Sequence, residues 1–127
     1  MTEATLLFRQ VHPSWVQSGR PTSQAFRPTP KDNGQLSAYD GDLIAPAESW
    51  LHFTNDLKQM SAGVLAVTVG EFKIESLPAT SDPDTFPSHV LVDYTAHGPG
   101  RIEKKSKRLR SIAEKRGWQH VAPAMQT

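Results

Sequence analysis

The order of strand-like and helix-like segments constrains this chain most. Alternating apolar residues predict strands, and apolar residues at three- and four-residue spacing predict helices. In chain order the pattern predicts strands over 5–11, 23–27 and 35–39, a helix over 46–60, strands over 64–72 and 89–95, and a helix over 101–116. Because the order is β-β-β-α-β-β-α and the strands cluster, we expect an α+β fold. Its sheet is expected to be mixed or mostly antiparallel, with about five strands and two packed helices.

The first strand carries an unexpected residue. Leu7 and Val11 share one face of the 5–11 segment, and the opposite face is also mainly apolar, so this strand is expected to be central in the sheet. Arg9 falls between Leu7 and Val11 on that face. A guanidinium there has to be paired, has to reach the strand end, or has to line a cleft in which it binds an anionic ligand.

Chain length and composition limit the number of domains and the cellular compartment. A chain of 127 residues favours one domain, which we place at 1–121 with a flexible tail at 122–127. The absence of cysteine excludes a disulfide framework and a thiolate zinc site. The N-terminus lacks signal-peptide features, and the longest apolar run, 64–69, is too short to span a bilayer. We therefore expect a cytoplasmic protein without a membrane partner.

Charge is distributed unevenly along the chain. Residues 101–116 include eight basic and two acidic residues, a net charge of +6. The remaining residues include six basic and eleven acidic ones, a net charge of −5, and the acidic bias is steepest over 32–93. Such asymmetry indicates an interaction with an anion, or pairing within or between chains.

The basic helix is the largest candidate surface. Its candidate partner-binding residues fall near one helical face: Arg101, Lys104, Lys105, Arg108 and Lys115. Such a face contacts phosphates, or it is a solvated face that neutralises the acidic middle of this chain or of a neighbour. No aromatic residues interleave the basic run, so nucleic-acid binding would be led by the phosphate backbone. Trp15, in a polar loop, is a candidate anchor for a partner.

Three short stretches support an alternative. The sequences FRQV with Arg9, TSQAF with Ser23, and GEFKIE with Glu71 and Glu75 together resemble the Arg–Ser–Glu arrangement of ADP-ribosyltransferase-like folds. The resemblance implies NAD as cofactor, with Arg9 holding its phosphate and Ser23 on a strand that shapes the nicotinamide pocket. It also implies that Glu71 or Glu75 activates the ribose.

Other catalytic and metal motifs are absent. No two histidines have the i, i+4 spacing of a helical zinc site, and HExxH, GxGxxG and the Walker loop do not occur, so we expect no metal. Serine, histidine and aspartate are plentiful, which leaves a Ser–His–Asp triad open, although no GxSxG nucleophile elbow is present.

Two functions from different classes follow from these observations. The leading expectation is a small non-catalytic binding or accessory module without a cofactor. It would engage a charged protein, a second copy of itself or nucleic-acid backbone through the basic helix. The alternative is a small nucleotide- or NAD-using enzyme or toxin, with Arg9 as the phosphate clamp.

Overall fold

The fold is built on one six-stranded antiparallel sheet. A computed structural model describes residues 1–123. Its strands are β1 (Leu6–Val11), β2 (Val16–Gln17), β3 (Arg20–Pro21), β4 (Gln35–Asp40), β5 (Gly63–Thr68), β6 (Ala79–Ser81), β7 (His89–Asp93) and β8 (His120–Val121). Its α-helices are α1 (Pro46–Leu51), α2 (Val69–Ile74) and α3 (Pro99–Arg116), with 3₁₀ turns at Pro13–Trp15, Ser23–Phe26 and Pro30–Asp32 and a π-helical turn at His52–Asp56. The strand order is β6-β7-β4-β1-β5-β8, and β2 and β3 form a separate ribbon.

Strand β1 is central, as the apolar character of both its faces predicts. It pairs with β5 along its whole length, from Leu6 opposite Thr68 to Val11 opposite Gly63. It pairs with β4 at only two positions, one of them Phe8 opposite Tyr39. Beyond these positions β1 and β4 diverge, and this divergence opens the sheet at the place where the candidate site lies.

The sheet has an apolar layer on each face. The face covered by α3 and the 3₁₀ turn Ser23–Phe26 forms the larger core: Leu7, Val11, Phe26, Leu36, Leu65, Val67, Val90, Val92, Tyr94, Leu109 and Ala113. The opposite face has a smaller cluster of Phe8, Tyr39, Val64 and Ala66, against which Ile44, Trp50, Phe53 and Phe86 pack. The α+β class and the antiparallel sheet are therefore confirmed.

The strand predicted over 23–27 is wrong. These residues form a 3₁₀ turn that places Phe26 fully inside the core. Its carbonyl accepts hydrogen bonds from the Tyr94 hydroxyl at 2.7 Å and the Ser106 hydroxyl at 3.0 Å. Side-chain donors thus satisfy a backbone group that a sheet ladder would otherwise pair, and the apolar pattern of a short segment does not distinguish the two outcomes.

The strand predicted over 64–72 ends at Thr68, and α2 begins directly after it. The Thr68 hydroxyl accepts from the Glu71 backbone N–H at 3.0 Å, while the Glu71 carboxylate accepts from the Thr68 N–H at 2.8 Å. This reciprocal capping box satisfies two donors of a helix N-terminus. It starts a helix inside a run whose β-branched residues favour a strand.

Two other segments differ from prediction. The helix expected over 46–60 is α-helical only to Leu51, then makes a π-type bond from the Leu57 N–H to the His52 carbonyl, and Lys58 with φ of 57° ends it. The segment expected to be a loop over 76–88 includes the short edge strand β6, which pairs with β7. Of the predicted tail, 124–127 lies outside the described residues.

Candidate functional site

A cavity of about 350 Å³ lies where β1 and β4 diverge, on the face opposite α3. The divergent strands form its floor, while the π-helical turn and the loop that precedes β7 form its walls. Its lining includes Arg9, Gln10, Ser37, Tyr39, Phe53, Leu57, Thr85, Phe86 and His89. A few polar groups set in a mostly apolar wall are typical of small-molecule sites.

Arg9 reaches this cavity through the gap between the strands. Its Nε donates to the Ala25 carbonyl at 2.7 Å and its Nη1 donates to the Ser37 carbonyl at 3.0 Å. The guanidinium also lies 5.3 Å from the centre of the Trp15 ring, within range of a cation–π contact. The guanidinium thus satisfies one backbone carbonyl of β4 and one of the 3₁₀ turn Ser23–Phe26.

Asp32 favours the charged form of Arg9, but only from beyond ion-pair distance. Within residues 1–123 Arg9 forms no ion pair with a carboxylate. Burial lowers the pKa of Arg9 to about 10, so the guanidinium stays protonated at neutral pH. A cation that is held by neutral carbonyls in a partly desolvated place attracts an anion more strongly than one exposed to water.

Four polar side chains at one side of the cavity form a hydrogen-bonded chain. His89 Nε2 lies 3.2 Å from the Ser37 hydroxyl oxygen, and His89 Nδ1 lies 2.9 Å from Asp82 Oδ2. The same carboxylate oxygen accepts from the Thr85 hydroxyl at 2.6 Å. Hydrogen bonds from Thr85 first, and then from His89, hold the pKa of Asp82 below its usual value. The Asp82 carboxylate is therefore ionised at neutral pH and accepts the Nδ1 proton, which leaves Nε2 to accept the proton of Ser37.

Aromatic rings enclose this chain of polar groups. The Phe86 ring centre lies 4.7 Å from that of His89, 4.6 Å from that of His52 and 5.1 Å from that of Tyr39. The Tyr39 hydroxyl lies 2.8 Å from His52 Nδ1, and burial raises the pKa of Tyr39, so this hydroxyl is neutral. The His89 side chain is only 9% exposed, whereas Ser37 faces solvent at the cavity. The histidine is thus shielded and the serine is accessible.

The residues that carry the resemblance to ADP-ribosyltransferase-like folds lie apart. Arg9 lines the cavity, but Ser23 borders a different groove between the β2–β3 ribbon and α3. Glu71 belongs to the capping box of α2, and its carboxylate accepts from Arg116 at 2.8 Å. Glu75 accepts from Arg108 at 2.7 Å. The described structure brings none of Ser23, Glu71 and Glu75 to the cavity of Arg9.

The cations predicted on one face of α3 divide into two groups. Lys105 donates to the Glu75 carbonyl at 2.6 Å, and Arg108 makes a two-pronged contact with the Glu75 carboxylate. Both residues therefore form ion pairs with Glu75 of the same chain. The cations that form no ion pair within residues 1–123 are Arg101, Lys104 and Lys115. Trp15 lies beneath Arg9, half-buried against the core, rather than projecting from a loop.

Sequence analysis did not single out Ser37, Asp82 or His89. His89 and Ser37 are 52 positions apart, and His89 and Asp82 are seven apart. They meet because β7 lies beside β4 in the sheet, with His89 opposite Tyr39. The sequence signal, a serine and a histidine on predicted strands, is too common to select them.

Comparisons with known proteins leave the chain without an assigned family. No family model matches it, and no curated protein and no solved structure gives a significant match. Residues 1–123 contain no group of three or more histidine and acidic side chains arranged to hold a metal ion. No helix in the described part of the chain combines the length and apolar character needed to cross a bilayer.

Proposed function

We propose that this protein binds a small organic anion in the cavity between β1 and β4. The observation that carries the proposal is Arg9, a cation on the cavity floor that forms no ion pair with the described residues. Two neutral carbonyls, of Ala25 and Ser37, hold it in place. A carboxylate or phosphate in the cavity would supply a direct ion-pair partner, which none of residues 1–123 provides.

The apolar walls of the cavity indicate the uncharged part of the ligand. Tyr39, Phe53, Leu57 and Phe86 present aromatic and aliphatic surface to the cavity. A volume of about 350 Å³ is near the lower limit for small-molecule sites. Together these features suit a compact ligand with one apolar or aromatic group and one negatively charged group.

Benzoate tests this proposal, with uncharged benzamide as the matched ligand. We expect benzoate to move amide signals of the cavity residues in a saturable NMR titration, and benzamide to bind at least about tenfold more weakly, a difference of about 1.4 kcal/mol. Leu57→Glu places a negative charge at the mouth, since Leu57 is 39% exposed, and should weaken benzoate without removing a contact of Arg9. Ile74→Glu, on α2 and 82% exposed, is the control and should not change benzoate binding.

Equal shifts with benzoate and benzamide would show that Arg9 does not select for charge and would contradict the proposal. No saturable shift with benzoate or phenyl phosphate up to about 10 mM would also contradict it, since even a weak millimolar ligand is detected at that concentration.

A second function rests on the three α3 cations that lack an ion pair. We propose that Arg101, Lys104 and Lys115 are the part of the basic helix that engages a charged partner, which is an acidic protein surface, a second copy of the chain or nucleic-acid backbone. All three side chains belong to exposed residues of an 18-residue helix. Since Lys105 and Arg108 already pair with Glu75, the available charge is smaller than the sequence suggests.

A short DNA duplex tests the nucleic-acid form of this second function. We expect amide shifts confined to α3 that weaken steeply between about 50 and about 200 mM salt, because each phosphate contact releases counterions. The double variant Lys104→Glu/Lys115→Glu should abolish them, and Lys31→Glu, an exposed lysine on a 3₁₀ turn, should leave them unchanged. Shifts that survive the double variant would exclude Lys104 and Lys115 as the contact.

A further inference from the structure

We propose that Ser37 is a nucleophile, activated by His89 and Asp82, and that the cavity hydrolyses small carboxylic esters. The proposal rests on the proposed function, since it uses the same cavity and Arg9. It adds the substrate class and the reaction. The observation that carries it is the continuous chain from the Ser37 hydroxyl through His89 to the Asp82 carboxylate, at 3.2 and 2.9 Å.

The Asp82 carboxylate sets the direction of proton transfer. Asp82 is ionised and accepts the Nδ1 proton of His89, so Nε2 is the acceptor that faces Ser37. Nε2 takes the hydroxyl proton as the oxygen attacks, and the aspartate stabilises the imidazolium that forms. In this scheme Ser37 and His89 are catalytic residues, and Asp82 is a positioning residue that acts through His89.

The supporting elements hold these groups in place. Ser37 lies on β4 and His89 on the neighbouring strand β7, whose register pairs Tyr39 with His89. The Asp82 N–H donates to the His89 carbonyl at 2.8 Å, which fixes the backbone of the acid beside that of the base. The Phe86 ring covers His89 at 4.7 Å and limits its contact with water. Sites that are built on strands and covered by packed side chains keep catalytic distances better than free loops do.

In this scheme Arg9 supplies the positive charge that stabilises the developing oxyanion. Its Nη1 is 3.0 Å from the carbonyl of Ser37 itself, and both residues line the cavity. A fixed cation beside the attacked carbon stabilises the oxyanion of a tetrahedral intermediate. The acid released by hydrolysis is a small organic carboxylate, which is the ligand class that the proposed function assigns to Arg9.

The reaction balances without a further reagent. A bond forms between Ser37 Oγ and the ester carbon, the hydroxyl proton passes to His89, and the carbonyl electrons move to oxygen. The intermediate collapses, the carbon–alkoxide bond breaks, and the leaving alcohol takes the proton from His89. Water then attacks the acyl group, gives one proton to His89, and releases the carboxylic acid as Ser37 regains its hydroxyl proton.

A fluorophosphonate probe with a short alkyl chain tests the nucleophile directly. We expect the full chain to gain the mass of one probe less hydrogen fluoride, on the peptide that contains Ser37, as the phosphorus–oxygen bond forms and fluoride leaves with the hydroxyl proton. Ser37→Ala should lose this labelling. Ser14→Ala is the matched control, because the Ser14 hydroxyl lies 2.8 Å from His12 Nδ1 but this pair is exposed and forms no ion pair with a described carboxylate. It should be labelled as the unaltered chain is.

Hydrolysis of 4-nitrophenyl acetate tests the relay. We expect Asp82→Asn to lower kcat at least about tenfold with KM changed less than about twofold, since the aspartate acts on the base and not on substrate binding. Thermal unfolding of the same sample separates this from a loss of fold. A variant that is folded and has unchanged kcat would overturn the role of Asp82.

The outcomes distinguish the two proposals. Benzoate binding without labelling at Ser37 overturns the nucleophile and leaves the anion site in place. Labelling at Ser37 without benzoate binding overturns the anion site, and with it the assignment of the substrate class. Labelling at Ser37 that benzoate slows supports both, and equal labelling at Ser14 and Ser37 overturns the special reactivity of Ser37.

Discussion

Phe26→Ala is expected to lower the free energy of unfolding by about 4 kcal/mol, the cost of removing a large buried aromatic side chain. Phe26 is 0% exposed and belongs to the 3₁₀ turn that packs under α3. Its removal leaves a cavity between that turn, the sheet and the helix, and rigid surroundings close such a cavity only in part. A urea titration followed by tryptophan fluorescence measures the effect, and the melting temperature should fall by more than about 10 °C.

Ile74→Ala is the matched control for this experiment. Ile74 is also a large apolar residue, but it is 82% exposed on α2. Its truncation should change the free energy of unfolding by less than about 0.5 kcal/mol. If Phe26→Ala cost no more than Ile74→Ala, the turn would not be packed into the core in solution, and the strand predicted over 23–27 would have to be reconsidered.

Glu75→Gln is expected to destabilise the protein by about 2 kcal/mol at neutral pH. The Glu75 side chain is 10% exposed and pairs with Lys105, itself only 13% exposed, and with Arg108, which is 55% exposed. Removing the carboxylate leaves the Lys105 ammonium buried without its counter-charge. The loss of one partner from a fully buried pair costs about 3–5 kcal/mol, and the exposure of Arg108 reduces that figure.

The difference in unfolding free energy between the unaltered chain and Glu75→Gln is expected to depend on pH. Hydrogen bonds from Arg108 come first among the causes that hold the pKa of Glu75 below its usual value of 4.5 in the folded protein. A depressed folded-state pKa adds stability above the unfolded-state pKa, and that stability is lost as pH falls through the folded value. We therefore expect the gap between the unaltered chain and Glu75→Gln to be constant near neutrality and to narrow below about pH 4.5.

Glu103→Gln tests whether the effect is specific to the buried pair. Glu103 pairs with Lys107 at 3.5 Å and Arg27 at 3.6 Å, but its side chain is 49% exposed. Exposed ion pairs contribute about 0–1 kcal/mol, so this variant should change stability little.

The pH prediction for Glu75→Gln has its own contradicting outcome. If the difference in unfolding free energy between this variant and the unaltered chain did not narrow in acid, the lost contact would not be that of the titrating carboxylate.

The elements with strong local signals are those that the sequence predicts well. Strand β1 is central, as its two apolar faces require, and α3 occupies the predicted segment with two added residues at its start. The errors occur where a local hydrogen bond overrides an apolar pattern. The capping box of Thr68 and Glu71 ends β5 and starts α2, and the carbonyl contacts of Phe26 hold a 3₁₀ turn.

The residues of the candidate site also differ in whether the sequence alone could select them. Arg9 could be selected from sequence, because a guanidinium between apolar residues on a central strand has to be paired, reach the strand end or line a cleft. Ser37, Asp82 and His89 could not be selected, because their meeting depends on which strands are neighbours. The short β6–β7 pairing and the register of β7 against β4 decide it.

The sequence by itself therefore determined the α+β class, the central strand that carries Arg9 and the long basic helix, since periodicity and charge are local properties. Only the tertiary structure decided that Glu71 and Glu75 neutralise part of α3, that β1 and β4 diverge around Arg9, and that Ser37 meets His89. These three outcomes join residues that are 28 to 52 positions apart, and a different pairing of the same strands and helices would separate them. Their physical reason is the packing of the whole sheet, in which strand neighbours and register are chosen together with the core.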